Sequence, residues 1–349
     1  MKHALIRSVI SFLSFTKAYR LLCPFFSGNG LILAMHRVVA DTRRYRIGAS
    51  SRIEVTPEFL EALIRFFKDK GYEIISLDTL YERLIKGQMG PPFVCFTFDD
   101  GYRDAYDTVF PIFKRHGAPF TVYIVTSFAN GSAVLWWYML EDLILGSDDF
   151  IELVFNQKRQ RLPVSSHNQK EQAYNLIRNM LMNTPQDKIG AAVEELFAPH
   201  GIKAADYRSY QITWEQLMEM SKDPLVTIGS HTMSHFNLTK LDLGKVLKEI
   251  SESKHILERK IGKPVNHFAY PFGSKIEASL REFEAVKACG FKTAVTLREG
   301  AIFPVHRNYT HCLPRIEITG RHQDLKLIDM RRCGLISLVR NGFKTVVAD

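Results

Sequence analysis

The sequence predicts an α/β protein whose parallel strands curl into a barrel. Three observations lead there. Short apolar runs bounded by turn residues alternate with helical patterns, which is how repeated β-then-α units read. His36, Asp99, Asp100, His231, Tyr270 and Arg315 each fall at or near the C-terminal end of one of those runs. Barrel enzymes place chemistry at that end. The alternation stops once, between Ala133 and about Tyr210, where helical patterns continue without a convincing strand.

Taken in order, Gly28-Asn29-Gly30 leads into a strand from Leu31 to Met35. Thr56-Pro57-Glu58 starts a helix, with Thr as the cap and Pro in the first turn. That helix runs through Phe59, Leu60, Leu63, Ile64 and Phe67 to Gly71, a C′ residue. Strands follow at Tyr72 to Leu77 and Phe93 to Phe98. Asp104 to His116 is helical, with Pro111 set to bend or split it, and Phe120 to Val125 is the next strand. Within the break, Lys170 to Met182 and Gln186 to Phe197 carry helical periodicity. A helix from Thr213 and a strand from Leu225 to Gly229 resume the alternation. A long helix from Leu243 to Ile261, a strand at His267 to Tyr270 and a helix ending near Gly290 come next. Strands at Phe291 to Leu297 and near His311 to Ile316 complete it. The expected organisation is an amphipathic N-terminal helix (1–27), a barrel domain (28–320) with a helical insertion (133–210), and a basic helical tail (321–349).

At 349 residues and 46% hydrophobic content the chain can bury a sizeable core. Its net charge of +9 favours anionic partners without choosing one. No interleaved basic-aromatic motif points to nucleic acid. The five cysteines form no close pair and are odd in number, which argues against a disulfide framework and for a reducing compartment. The N-terminus carries Lys2, Arg7, Lys17 and Arg20 around Leu5, Ile6, Val9, Ile10, Phe12, Leu13, Leu21 and Leu22. This apolar stretch is too short to span a bilayer and shows no small-residue cleavage site. It fits either a helix lying on an anionic membrane or one packing on the barrel or a partner.

Chemistry concentrates in two places. Phe96-Thr97-Phe98-Asp99-Asp100-Gly101 ends an apolar run with adjacent carboxylates. Ser230-His231-Thr232-Met233-Ser234-His235 follows another run with two histidines spaced i, i+4. A carboxylate and two such histidines, with open positions, suit a catalytic metal.

These segments resemble the polysaccharide deacetylase family, carbohydrate esterase family four. Thr97 to Gly101 matches its first motif and Ser230 to His235 its second, and Ala269-Tyr270-Pro271-Phe272-Gly273 looks like a variant of its third. The resemblance covers Leu31 to Ile318 without the insertion and implies a distorted (β/α) barrel of about seven parallel strands. It implies Asp99 as catalytic base and Asp100, His231 and His235 as ligands of one divalent ion. Zinc leads, with nickel, cobalt, iron and manganese as options. Tyr270 and Phe272 would stand at the substrate and oxyanion position. Ala269 stands where many members carry an Arg, and Arg315 resembles the substitute of a subgroup. Met35-His36-Arg37-Val38 looks like the subgroup whose catalytic His precedes the first motif, which makes His36 the general acid, with His311 as the fallback.

The resemblance implies metal-dependent N-deacetylation of an N-acetylated sugar in a bacterial surface polysaccharide or lipid-linked precursor. The basic N-terminal segment suggests a cytoplasmic protein, peripheral on the inner membrane, with an extracytoplasmic location as the alternative. An O-acetyl esterase on the same scaffold would release acetate without a new amine. A silent glycan- or membrane-binding protein would lack metal. Trp136-Trp137-Tyr138 is read as core ahead of a sugar-stacking platform.

Overall fold

A computed structural model of the chain describes residues 19–40, 46–155 and 158–348. Its strands, in chain order, are β1 (Gly30–Met35), β2 (Arg37–Val38), β3 (Glu54–Val55), β4 (Glu73–Ile74), β5 (Phe93–Phe98) and β6 (Phe120–Ile124). Then come β7 (Phe150–Phe155), β8 (Lys158–Pro163), β9 (Val226–Ser230), β10 (His267–Ala269), β11 (Thr293–Val295) and β12 (Ile316–Glu317). Seven parallel strands form one curled sheet in the order β11-β10-β9-β6-β5-β1-β12, and β4 adds to β5. The full length of β1 pairs with β5, from Gly30 opposite Phe93 to Met35 opposite Phe98. Leu313 bridges Val295 of β11 while Ile316 pairs with Leu33 of β1. The segment 313–317 therefore touches both edges of the sheet and draws it into the expected distorted barrel.

β1, β5 and β6 are buried on both faces, which is why their sequences are continuously apolar. Helices cover the outside. In Pro57–Asp69, Thr56 Oγ1 caps the Phe59 N–H at 3.2 Å, and Phe59, Leu60, Leu63, Ile64 and Phe67 pack inward. Asp242 caps Leu243–Ile261 through the Lys245 N–H at 2.9 Å, and Gly262 ends it at φ 68°.

Several expectations need correction. The run from Tyr72 to Leu77 yields only the short β4, because Ser76 caps a helix that begins at Leu77. The helix expected from Asp104 starts as a π-helical turn, Ala105–Val109, and turns α-helical where Pro111 enters. The insertion contains helices Trp136–Leu145, His167–Asn183 and Ile189–Phe197, but also an antiparallel hairpin of β7 and β8. β7 alternates exposed and buried positions, the signature of a half-covered strand. β8 reads Lys-Arg-Gln-Arg-Leu-Pro and is largely exposed, so it carries no hydrophobic period to detect. The insertion has its own core, including Leu140, Ile144, Tyr174, Ile177 and Leu196, which continues into Tyr102 and Phe128 of the barrel.

The N-terminal residues 1–18, with the expected amphipathic face, lie outside the described residues. A helix Tyr19–Phe26 follows, packed on the C-terminal helices Leu325–Arg332 and Leu335–Arg340 through Tyr19, Met330, Cys333 and Ile336. Tyr19 Oη donates to Asp329 Oδ2 at 2.7 Å. Cys23 and Cys333 form a disulfide across a sequence separation of 310. This corrects the cysteine reading: a spacing argument along the chain cannot register two termini that meet in space. The bridge removes the cysteine argument for a reducing compartment.

Gly229, in β9, is a close-approach position. A Cβ there would collide with the Tyr123 ring and stand 3.0 Å from the His267 carbonyl oxygen. Gly229→Ala should therefore cost about 1–3 kcal/mol through overpacking. Thermal or denaturant unfolding reads this, and an unchanged midpoint would show that the strands can part without cost.

Candidate functional site

Asp99 and Asp100 leave the end of β5, and His36 leaves the end of β1 beside them. The Asp99 N–H donates to the Met35 carbonyl at 2.9 Å, which extends the β1–β5 ladder to the site. His231 leaves β9, and its N–H donates to the Ile124 carbonyl of β6 at 2.9 Å. Phe272 follows β10 by three residues. The parallel sheet thus gathers four loops at one end of the barrel.

Asp100, His231 and His235 converge. Asp100 Oδ1 stands 3.4 Å from His231 Nε2 and 3.3 Å from His235 Nε2. One ligand atom from each lies within 4.8 Å of the others. His231 Nδ1 lies 2.7 Å from the Ala269 carbonyl, so that nitrogen donates and Nε2 presents its lone pair inward. Asp100 Oδ1 is buried and accepts no well-formed hydrogen bond. Among buried carboxylates such an orphan demands an explanation. Two imidazole nitrogens and a carboxylate oxygen facing one another without a shared proton donor fit a divalent cation. The pair does not share a helix; residues 231–235 form an irregular loop.

Asp99 has a different environment. Arg315 is fully buried and grips it bidentately, Nη1 to Oδ1 and Nη2 to Oδ2, both at 2.7 Å. Arg315 Nε donates to the Thr296 carbonyl at 2.9 Å and Nη1 also to Thr97 Oγ1 at 3.0 Å. Thr97 in turn donates to the Leu33 carbonyl at 2.7 Å. Burial pushes the Asp99 carboxyl pKa up, but the guanidinium charge outweighs it and holds the group below the ordinary carboxylate value. The His36 side chain is half-buried, and its charge would favour ionisation of both carboxylates. Arg315 does not follow a strand, as the sequence suggested. It lies just before β12, in the segment that closes the barrel, and reaches Asp99 from inside.

The backbone at the site is strained. Asp100 (φ 79°), Thr232 (φ 69°), His235 (φ 56°) and Phe272 (φ 62°) are four of the five non-glycine residues with positive φ among those described. A β-branched residue there is a genuine outlier, and such strain clusters at functional sites. Phe272 packs its ring edge-on to His235, centroids 5.0 Å apart.

Not every expected residue arrives. Tyr270 is buried in the main core, its hydroxyl donating to the His311 carbonyl at 2.8 Å and its N–H to the Val295 carbonyl at 3.2 Å. Neither group is left to meet a substrate, because side chains alternate along the strand and Tyr270 takes the core side. His311 bonds the Phe291 carbonyl through Nε2 at 2.8 Å, away from the carboxylates. Tyr138 is core, and Trp136 and Trp137 are half-buried against it. Sequence reasoning missed Arg37. Its guanidinium is stacked 4.8–5.3 Å from the Tyr102, Tyr138 and Tyr210 rings and donates to Asp104 at 2.9 Å. That cage ties both ends of the insertion to the strand after His36. No motif marks this cage, since the partners of Arg37 are scattered over the chain.

Comparison with known proteins identifies the family and the fold. A family model for polysaccharide deacetylase matches residues 86–294. The curated protein YxkH of Bacillus subtilis (strain 168), named among polysaccharide deacetylases, is 19% identical over 258 residues. That match takes in 74% of this chain and 63% of that protein, so the chain spans under two thirds of its relative's length. Among solved structures, the Streptococcus pyogenes deacetylase PplD superposes with a TM-score of 0.57 at 18% identity, over 86% of this chain and 97% of that one. A de-N-acetylase from Aggregatibacter actinomycetemcomitans gives 0.55 at 18%, over 86% and 99%. IcaB from Ammonifex degensii gives 0.55 at 16%, over 87% and 97%. At these identities the structures speak for the fold; with the family match across more than half of its length, the chain belongs to the polysaccharide deacetylase family.

Proposed function

We propose that the protein hydrolyses the acetamido group of an N-acetylated sugar, in a surface polysaccharide or its lipid-linked precursor. One observation carries this: the orphaned Asp100 oxygen faces two histidine nitrogens, while its neighbour Asp99 is separately held as an anion. Asp100, His231 and His235 would hold a divalent ion. Zinc suits a mixed nitrogen and oxygen set best, though nickel, cobalt, iron and manganese accept it. Such an ion, when bound, polarises the amide carbonyl and eases ionisation of water.

The chain's own residues would do the rest. Asp99, not a ligand, is free to take a proton from the attacking water. Arg315 keeps it anionic and fixes its plane through two parallel hydrogen bonds. Among the described residues no backbone carbonyl accepts the Phe272 N–H. Phe272 lies in the loop beyond β10 with positive φ, and its N–H would donate to the developing oxyanion. His36 stands near both carboxylates and would hand a proton to the departing amine.

With an N-acetylated oligosaccharide, the metal-loaded protein should release acetate and free amine in equal amounts. Acetate without amine from an O-acetylated substrate would instead mark an esterase. His231→Ala and His235→Ala should each lose bound metal and activity. Asp99→Asn should keep the metal and lose about 10²–10⁴ in kcat, the usual worth of a positioned base. Full metal content in both histidine variants, measured by elemental analysis, would end the metal assignment.

His36→Ala should keep fold and metal yet cut kcat by about 10²–10⁴ on the amide. A substrate with a better leaving group should recover part of the loss. Near wild-type turnover on the amide would remove His36 from the reaction.

We further propose peripheral attachment to an anionic membrane. No helix among the described residues is long and apolar enough to cross one. Leu21 and Phe25 lie four apart on the helix Tyr19–Phe26 and are 79% and 72% exposed. Basic residues in the preceding segment suit anionic headgroups. Leu21→Ser together with Phe25→Ser should shift the protein from membrane to soluble fractions on flotation with vesicles containing phosphatidylglycerol. Equal flotation of variant and wild type would place the contact elsewhere.

A further inference from the structure

The loop that carries both histidines has a second support that no motif includes. Thr232 and His235 hold positive φ, and Thr232 is β-branched. Conformations of this kind are costly and persist only where the surroundings over-determine them. Three contacts act from the barrel and from the loop itself. The Thr126 N–H donates to the Thr232 carbonyl at 3.2 Å, and the Ser127 N–H to the Met233 carbonyl at 3.0 Å. The His235 N–H donates to Thr232 Oγ1 at 3.0 Å. The fourth support is Glu249, on the helix Leu243–Ile261. Its Oε2 accepts the Met233 N–H at 3.0 Å and the Ser234 N–H at 2.9 Å. Those two amides lie between the ligands, and the carboxylate is buried. The same helix is pinned to the strand below, where Ser253 Oγ pairs with Ser230 Oγ at 2.6 Å.

A buried carboxylate that accepts adjacent backbone N–H groups fixes the direction of both peptide planes. Here those planes decide where the His235 ring points. We propose that Glu249 is a positioning residue for the metal centre. It holds the turn 232–235 in its strained form so that His235 Nε2 faces Asp100 and His231 before any metal arrives. The proposal rests on the metal-centre reading given above. Among the described residues Glu249 forms no hydrogen bond or ion pair with Asp99, Asp100, His231 or His235.

Cobalt(II) binding tests it, because the ion reports its coordination through visible absorption. Glu249→Ala should weaken cobalt binding about 10–100-fold, the usual cost of losing a group that orients a ligand. Glu249→Asp keeps the charge but withdraws the oxygens by one methylene, and should weaken binding in the same direction. It also serves if the alanine variant does not fold. Glu249→Gln keeps an acceptor oxygen and should bind closer to wild type than either. Ile250→Val, on the same helix, controls for general destabilisation and should bind cobalt as wild type does. A second readout needs no metal: in the metal-free protein, hydrogen exchange at the Met233 and Ser234 amides should quicken in Glu249→Ala and Glu249→Asp and not in Ile250→Val. Cobalt affinity and spectrum unchanged in both carboxylate variants would overturn the proposal. If wild type itself binds no cobalt, the metal-centre reading fails instead. Amide exchange as slow in both variants as in wild type would then still refute Glu249's hold on the turn.

Discussion

A carboxylate buried as Asp99 is cannot stay ionised without a partner, and the barrel is built to deliver one. Arg315 is the only guanidinium hydrogen-bonded to Asp99 among the described residues, and it sits on the segment that closes the sheet between β11 and β12. Closure and charge are therefore one event. Until Leu313 meets Val295 and Ile316 meets Leu33, Asp99 lacks the Arg315 guanidinium, and burial opposes its ionisation. Arg315 faces the converse problem, and burial alone would lower its pKa; Asp99 reverses that. Removing either member of such a pair commonly costs 3–5 kcal/mol, because the other is left charged and dry. Thr97 and the Thr296 carbonyl take up remaining donors of the guanidinium, so the pair is fixed in orientation as well as in charge.

The adjacent carboxylates are thus separated in function by direction rather than by distance. Side chains of consecutive strand residues point to opposite faces, and Asp99 follows that rule into the barrel. Asp100 has left it, with φ at 79°, and turns toward the histidines. One sequence dipeptide serves a guanidinium on one side and a cation-ready cluster on the other. The strain that makes this possible is met by the same device at His235 and Phe272. The rigid sheet beneath absorbs the cost, which is why the strained residues stand in the loops immediately beyond β5, β9 and β10.

How much of this was legible in the sequence follows from the range of the interactions. β5 and β6 are apolar runs buried on both faces, and capped helices such as Pro57–Asp69 announce themselves locally, so the barrel could be read. Asp99, Asp100, His231 and His235 stand in compact motifs, and the structure gathers them. Arg315 was expected near the site for its resemblance, but its place inside the closing segment depends on a pairing with β1 some 280 residues away, which no local pattern encodes. Tyr270 misled because a strand end offers two faces and the motif does not say which one the side chain takes. β8 escaped because an exposed strand has no hydrophobic period. Cys23 and Cys333 escaped because chain termini converge only in three dimensions.

The insertion joins the site through charge rather than through shared core alone. Arg37 stands next to His36 and is enclosed by Tyr102, Tyr138 and Tyr210. Tyr102 follows the Asp-Asp-Gly turn, while Tyr138 and Tyr210 come from the two ends of the insertion. Glu54 and Arg46 extend the network to the buried Glu141. Arg46 donates to Glu141 through Nε and Nη2, each at 2.9 Å. A guanidinium desolvated among aromatic rings is costly unless its donors are met, and Asp104 and Glu54 meet them. The arrangement makes the strand after β1 a common anchor. Any displacement of the insertion would break paired buried charges beside His36, so the insertion is fixed to the site at the point where the proposed proton donor stands.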